Sequence, residues 1–156
     1  MEDDINGDIR EDGHKLKKIL LKDYWKKKVE FIDATGEDFR NQIKGNVAGV
    51  IIGDRALQQR QSSEYIYDLG EAWKKHTGLP FVFAAWISNK ELPGEFVHAF
   101  NEANAFGIQH LGKVIEENVS SYFNLKEYYT NCISYKLDTE KQKGLELFLN
   151  LLITGD

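Results

Sequence analysis

The chain has 156 residues, of which 42% are hydrophobic and 29% are charged. This length and balance are typical of one globular domain or of two small lobes of one fold. Twenty basic against twenty-five acidic residues give a net charge of −5, which excludes the general basic footprint of a nucleic-acid-binding protein.

The cysteine count and the hydropathy of the sequence exclude further classes of protein. Cys132 is the only cysteine, so neither an internal disulfide nor a thiolate zinc cluster can form. We interpret it as a small buried side chain. The sequence shows no signal peptide and no membrane-length apolar run, and we therefore expect a cytoplasmic protein that does not enter a membrane.

The first half of the chain alternates predicted helices and strands. Residues 1–12 are acidic and poor in apolar side chains, which predicts a loose segment. A helix ending near Lys27 follows, because four apolar residues repeat at helical spacing on one face: Leu16, Ile19, Leu20 and Tyr24. A strand over residues 29–33, a short helix over 37–43 and an apolar strand over 47–52 come next. Both faces of the last strand are apolar, so we expect it to be central in its sheet.

The stretch from Asp68 to Trp86 carries the clearest local signals. Asp68 is a good N-cap, and Glu71 follows at the spacing of a capping box. Gly78 suits the left-handed position that ends a helix, and Pro80 prevents its continuation. These signals predict a helix over residues 70–76, preceded by a short strand over 65–68 and followed by a buried-type strand over 81–87.

Beyond residue 89 the pattern is helical throughout. Apolar positions recur every three or four residues over about five turns, at Phe96, Phe100, Ala103, Gly107, Leu111 and Val114. A helix over 125–133 and a last helix capped by Asp138 complete the chain. We therefore predict an α/β domain with a mixed, mainly parallel sheet, divided into a loose segment (1–12), an α/β ligand-binding lobe (13–88) and a C-terminal helical segment (89–156) packed on it.

One candidate binding site follows the strand over residues 47–52. Ligands of open α/β sheets gather beyond the carboxyl ends of the strands, where Gly53, Asp54 and Arg55 lie. Gly53 permits close backbone approach, the next helix can direct amide donors at an anion, and Arg55 can hold a carboxylate by two parallel bonds. We predict that Asp54 is the N-cap of a helix over residues 55–60, a structural role that does not exclude contact with a ligand, and a solvent-facing side chain is the commoner interpretation of Arg55.

Other chemistry-bearing residues favour structural interpretations. The four histidines, His14, His76, His98 and His110, fall in different elements without i, i+4 partners, so we predict no metal site. Glu116 and Glu117 fit a solvated helix end better than an acid/base pair. Trp73, Tyr65 and Tyr67 fit either a pocket lining or, more commonly, core packing. Familiar hydrolase, phosphate-loop and dinucleotide-binding motifs are missing from the sequence.

Several long strings in order resemble one known family. They are KILLKDYW, VIIGDRAL, YDLGEAWKKHTGLPFVFAAW and FNEANAFG, at residues 18–25, 50–57, 67–86 and 100–107. These sequences resemble those of the chorismate dehydratases of the futalosine route to menaquinone. The resemblance implies a two-lobed, type II periplasmic-binding-protein-like fold, of which this chain holds mainly one lobe with C-terminal helices.

The resemblance also implies a function. Family members dehydrate chorismate to 3-[(1-carboxyvinyl)oxy]benzoate without a metal or redox cofactor, in a cleft that Gly53 and Asp54 would face. The family's N-terminal lobe supplies the base and a hydroxyl-rich turn, whereas this chain has the sequence REDG at residues 10–13 just before its first predicted helix. The catalytic residues of this chain are therefore unassigned.

Three interpretations remain open at this level. The first is a carbon–oxygen lyase related to chorismate dehydratase, the second is a non-catalytic module that binds small carboxylates, and the third is an inactive fragment. A lobe without its counterpart leaves an apolar surface, so we also expect self-association of the chain.

Overall fold

The computed structural model describes residues 10–32 and 38–154, which divide between two compact units. Unit 1 comprises Met1–Phe83 and Leu137–Asp156, and unit 2 comprises Ala84–Lys136. The predicted loose segment over residues 1–9, and the ends of two predicted elements at residues 33 and 37, lie outside the described residues.

The described residues of unit 1 form four α-helices and two shorter helical turns. The α-helices are α1 (Arg10–Ile19), α2 (Asp54–Gln59), α3 (Leu69–Thr77) and α7 (Thr139–Thr154). A π-helical turn, Leu20–Tyr24, continues α1, and a 3₁₀ turn spans Asp38–Gln42. The first predicted helix is thus present, but it begins earlier than expected, since residues 10–12, assigned to the loose segment, and the REDG turn belong to α1.

The helices of unit 2 follow one another along the chain. They are α4 (Gly94–Gln109), α5 (Leu111–Glu117) and α6 (Leu125–Glu127), the last continued by a π-helical turn at Tyr128–Cys132. The single long helix that the apolar spacing predicted is therefore interrupted at His110, where the backbone leaves the helical region. Cys132 at the end of the π-helical turn is exposed, so its interpretation as a buried side chain was wrong.

The core lies in unit 1, where α1, α3 and α7 meet. Among the residues whose burial is described, it consists of five buried apolar side chains: Leu16, Leu20, Ala72, Trp73 and Phe148. The Trp73 ring packs edge-on against Phe81 and Phe148, with ring centroids 5.5 and 5.9 Å away. This geometry is favourable for aromatic pairs, and it joins α3, α7 and the segment after Pro80 into one cluster.

Local capping signals were predicted correctly. The Asp68 carboxylate accepts a hydrogen bond of 2.9 Å from the backbone N–H of Glu71, and Gly78 ends α3 in the left-handed conformation (φ 77°). The Asp138 carboxylate accepts a bond of 3.0 Å from the backbone N–H of Lys141 at the start of α7. Short-range contacts of this kind follow directly from sequence spacing.

The predicted mixed sheet is not seen among the described residues, which are rich in helix and contain no assigned strand. Residues 29–32, 47–52, 65–68 and 81–87 are irregular segments instead. A strand is completed by hydrogen bonds to a neighbouring strand, and a local apolar pattern does not supply that neighbour. The division of the chain at residues 12 and 88 stays a prediction.

Candidate functional site

The predicted site begins at a glycine whose conformation requires that residue. Gly53 has φ 66° and ψ −153°, a region that residues with a side chain rarely adopt. A Cβ atom built on Gly53 would meet no other atom within 4 Å, so the space beside it is open. The close approach of a ligand to the Gly53 backbone stays a prediction, and the open space is compatible with it.

Gly53, not Asp54, is the N-cap of α2. The backbone N–H of Ala56 donates a hydrogen bond of 2.9 Å to the Gly53 carbonyl, and Asp54 occupies the first turn of the helix. The prediction that Asp54 caps the helix was wrong, because a glycine with positive φ turns the chain one residue earlier. The Asp54 carboxylate stabilises the positive end of the α2 dipole from within the first turn.

The three predicted site residues lie together at the surface. Gly53, Asp54 and Arg55 are all exposed, whereas Ala56 and Leu57 are half-buried. Helix geometry gives the first amide groups of α2 no acceptor within the helix itself, although the amide group of Ala56 is paired with the Gly53 carbonyl. The three residues therefore lie at an exposed helix start.

Helix α1 lies next to this site. A Cβ atom built on Gly13 would be 3.5 Å from Cγ2 of Ile52, the residue before Gly53. The sequence did not predict that α1 packs against this end of the segment at residues 47–52. No signal in the sequence could have done so, because the contact joins residues about forty positions apart and depends on tertiary packing.

The other candidate residues do not converge on Gly53. His14, His76, His98 and His110 lie on separate elements, and within residues 10–32 and 38–154 no group of three metal-ligating side chains is found. His98 pairs instead with Glu102, 3.4 Å away on α4, and His110 contacts the Phe106 carbonyl at 2.7 Å.

The aromatic candidates divide between core and surface. Trp73 is fully buried, which confirms its interpretation as a core residue. Tyr65 and Tyr67 are 75% and 72% exposed, so neither belongs to the core. The interpretation of these two tyrosines as core residues was wrong. Glu116 and Glu117 are exposed at the end of α5, as expected for a solvated helix end.

The charge pairs that shift pKa values lie elsewhere, on α3 and at the start of α7. A hydrogen bond and ion pair with Glu71, 2.6 Å away, raise the pKa of Lys75 on α3. Hydrogen bonds from Lys141 lower the pKa of Asp138, and a hydrogen bond with Glu140 raises the pKa of Lys143. The side chains of these pairs are exposed, apart from the half-buried Lys141, and the pairs support α3 and α7 rather than chemistry.

Comparison with known proteins gives consistent matches. The family model described as menaquinone biosynthesis matches residues 11–153. The chorismate dehydratase of Thermus thermophilus is 31% identical over 102 residues, covering 62% of this chain and 38% of that protein. The chorismate dehydratase of Campylobacter jejuni is 30% identical over 108 residues, covering 64% of this chain and 47% of that protein.

The matches differ in how much of each protein they cover. The chain spans less than half the length of the curated relatives it matches. No solved structure matches it. The family match nevertheless extends over nearly the whole sequence, from α1 to the end of α7. The resemblance to chorismate dehydratases noted from the sequence is thereby confirmed, and the chain belongs to the menaquinone biosynthesis family.

Proposed function

We propose that this chain binds chorismate, or a similar small carboxylate, at Gly53, Asp54 and Arg55 as part of a chorismate dehydratase of the futalosine route. The observation that carries the proposal is the positive-φ turn at Gly53, within a family match that runs over residues 11–153. Chorismate is chosen as the ligand because two of the relatives are chorismate dehydratases.

The chemistry of the three residues fits a hydroxylated carboxylate. Amide groups in the first turn of α2 and the Arg55 guanidinium donate to a carboxylate. The Asp54 carboxylate accepts a hydrogen bond from a ligand hydroxyl. Two or three charge-assisted bonds at an exposed site, reduced by the cost of ordering the ligand, correspond to about millimolar affinity.

Binding without turnover is the second candidate function, and the exposure of the site favours it for the chain alone. Dehydration of chorismate removes a proton and the ring hydroxyl as water and leaves an aromatic ring. Such a step requires a positioned base and exclusion of solvent. Gly53, Asp54 and Arg55 are exposed to water, so this chain by itself binds the carboxylate without catalysing its dehydration.

The proposal also includes the fold, the cellular compartment and the self-association of the protein. The lobe has a type II periplasmic-binding-like fold in its complete form, works in the cytoplasm and self-associates through apolar surface. The single cysteine suits a reducing compartment, and exposed apolar residues such as Ile32 and Phe83 suit self-association. In described residues 10–32 and 38–154, no helix is both long and apolar enough to cross a membrane.

Titration of the ¹⁵N-labelled chain with chorismate tests the proposal. We expect amide shifts at Gly53, Asp54 and Arg55 that saturate in the millimolar range, and no product in an assay for 3-[(1-carboxyvinyl)oxy]benzoate. Arg55→Ala should weaken binding about tenfold, the effect of losing one charge-assisted bond. Arg60→Ala is the matched control, because Arg60 lies at the other end of α2 and should leave the affinity unchanged.

Three results discriminate the candidates. Shifts absent at Gly53 would reject the site. Equal losses in the two arginine variants would indicate general charge attraction instead of a site on the first turn of α2. Efficient product formation by the purified chain would show that it holds a catalytic base elsewhere and would reject binding alone.

A further inference from the structure

Basic side chains are concentrated in one part of a chain that is acidic as a whole. Residues 13–32 contain seven lysines against two acidic residues, Asp23 and Glu30, whereas the whole chain has twenty basic and twenty-five acidic residues. Such asymmetry indicates a local surface for an anionic partner. We propose that this part of unit 1 binds the anionic surface of a lipid bilayer, without any segment crossing it.

The chain reverses after α1 and brings these residues together. Lys26, just beyond the π-helical turn, has φ 53°. Phe31 then lies beside α1, with Lys17 Nζ and Lys18 Nζ 4.7 and 5.5 Å from the centroid of its ring. Residues 27–30 therefore run back along the end of the helix, next to the lysines that α1 carries.

The surface formed in this way is both basic and apolar. Leu16 and Leu20 on one side of the helix are fully buried, while Lys18 and Lys22 on the opposite side are exposed. The apolar side chains of the returning segment are also exposed, by 46–72%. We call this set of exposed residues the lysine face: Lys18, Lys22, Lys26, Lys27, Lys28, Val29, Phe31 and Ile32.

The arrangement has a conformational and an electrostatic cost. Lys18 and Lys22 are four residues apart, a spacing at which like charges on a helix repel each other. Lys26 holds the left-handed conformation in which glycine is usual, so a lysine there keeps its charge at the expense of backbone strain. An anionic partner removes the repulsion, and retained strain at an exposed turn is typical of functional positions.

The apolar members of the lysine face favour a bilayer over other anionic partners. Val29, Phe31 and Ile32 are 49%, 46% and 72% exposed beside the lysines. At an anionic bilayer, apolar side chains reach the boundary between headgroups and acyl chains while lysines extend to the headgroup phosphates. A nucleic acid or an acidic peptide neutralises the lysines but leaves Ile32 without an apolar environment. The proposed cytoplasmic location agrees, since the cytoplasmic leaflet carries negative charge.

Cosedimentation of the full chain with vesicles tests the proposal, which goes beyond chorismate binding and does not depend on it. One set of vesicles contains equal parts of phosphatidylcholine and phosphatidylglycerol, and the other contains phosphatidylcholine alone. We expect binding at least about tenfold tighter to the anionic vesicles at low ionic strength. Added salt should weaken it, because the lysines are exposed and their attraction to the surface is screened.

Two triple variants of equal net charge locate the surface. Glutamine at Lys26, Lys27 and Lys28 should weaken binding to anionic vesicles on the order of a hundredfold, because each lysine near a charged bilayer contributes about fivefold. The matched control has glutamine at three exposed lysines outside the lysine face, and it should keep nearly the parent affinity. These three are Lys74, Lys90 and Lys113. Circular dichroism checks that both variants retain their helices.

A single substitution separates the charge of Lys26 from its place in the turn. Lys26→Gly introduces the residue that adopts this conformation most easily, so stability should be retained or raised. Loss of one charge should still weaken vesicle binding about fivefold. An unchanged affinity in this stable variant would count against the lysine face as the binding surface.

A pair of apolar substitutions distinguishes a bilayer from a soluble polyanion. Val29→Ser combined with Ile32→Ser should weaken vesicle binding at least about fivefold, yet leave binding to poly-glutamate and duplex DNA unchanged. The matched control combines Ile87→Ser with Ile153→Ser, which are 91% and 78% exposed outside the lysine face. This control should bind vesicles as the parent does.

Three outcomes overturn the proposal. One is equal affinity for neutral and anionic vesicles, and another is an equal loss in the two lysine variants, which would indicate general charge attraction. A third is tighter binding to poly-glutamate or DNA than to anionic vesicles, which would identify an acidic polypeptide or a nucleic acid as the partner. Chorismate binding at Gly53 is measured without vesicles, so its failure is distinguishable from failure of this proposal.

Discussion

The two units contain similar kinds of helix but bury their apolar side chains to different extents. In unit 1, α1, α3 and α7 converge on Trp73, which is fully buried. In unit 2, whose residues 84–136 are all described, none is buried. Helix α4 nevertheless carries the regular apolar spacing that predicts a core-facing helix, with Phe96 and Phe106 left 53% and 63% exposed.

The difference shows what periodic sequence patterns can and cannot determine. Apolar spacing sets which side of a helix prefers to be covered, but burial needs a second surface at the right distance. In unit 1 that surface is present, since Phe148 of α7 and Phe81 contact Trp73. In unit 2 aromatic contacts such as Trp86–Phe100 and Phe96–Phe100 form between exposed or half-buried rings. We therefore expect the units to differ strongly in stability.

The largest expected effect comes from truncating the central tryptophan of the core. Trp73→Ala should destabilise unit 1 by about 3–5 kcal/mol, because it removes a fully buried aromatic side chain and leaves a cavity. Trp86→Ala, the matched control in unit 2, should cost less than about 1 kcal/mol, since Trp86 is 82% exposed. Urea unfolding followed by far-ultraviolet circular dichroism measures both. Equal losses would contradict the contrast between the units.

A pair of helical glycines sharpens the same contrast. A Cβ atom on Gly144 in α7 would overlap the Pro80 carbonyl oxygen, so Gly144→Ala should destabilise unit 1 by about 1–3 kcal/mol despite the better helix propensity of alanine. Gly107 in α4 has open space around it, and Gly107→Ala should stabilise that helix by up to about 1 kcal/mol.

Thermal unfolding and amide exchange of α4 and α7 measure the stability changes caused by Gly107→Ala and Gly144→Ala. Opposite signs are expected for the two substitutions. A stabilising Gly144→Ala would mean that α7 does not approach the Pro80 carbonyl closely.

Local features of the fold were predictable, whereas pairing between distant segments was not. The caps at Asp68 and Asp138 and the stop at Gly78 depend on residues at most four positions apart, and all three are present. The mixed sheet failed as a prediction for the described residues because strands need partners that a local pattern cannot supply.

The end of α3 gives a smaller effect. Gly78 has φ 77°, so Gly78→Ala should cost about 1 kcal/mol through strain in the left-handed conformation. Gly78→Asn is the graded control and should lose less, because asparagine tolerates that conformation better. Chemical unfolding of unit 1 ranks the three proteins. An alanine variant as stable as the parent would show that the chain after α3 leaves the helix by another route.

The smallest expected effect is a pH dependence at the start of α7. Hydrogen bonds from the Lys141 side chain and backbone lower the pKa of Asp138 below its ordinary value of 3.8. A lowered pKa in the folded state means that the cap stabilises α7 fully above the unfolded-state value and loses this contribution as the pH falls through the folded-state value. Amide exchange at Lys141 and Gln142 should therefore accelerate relative to the rest of α7 only in that acidic window. Asp138→Asn keeps a capping oxygen but cannot titrate in this range, so its exchange ratio should be flat with pH. A parent protein with the same flat ratio would show that the Asp138 carboxylate does not stabilise the first turn, and α7 would then be held by Phe148 and the core alone.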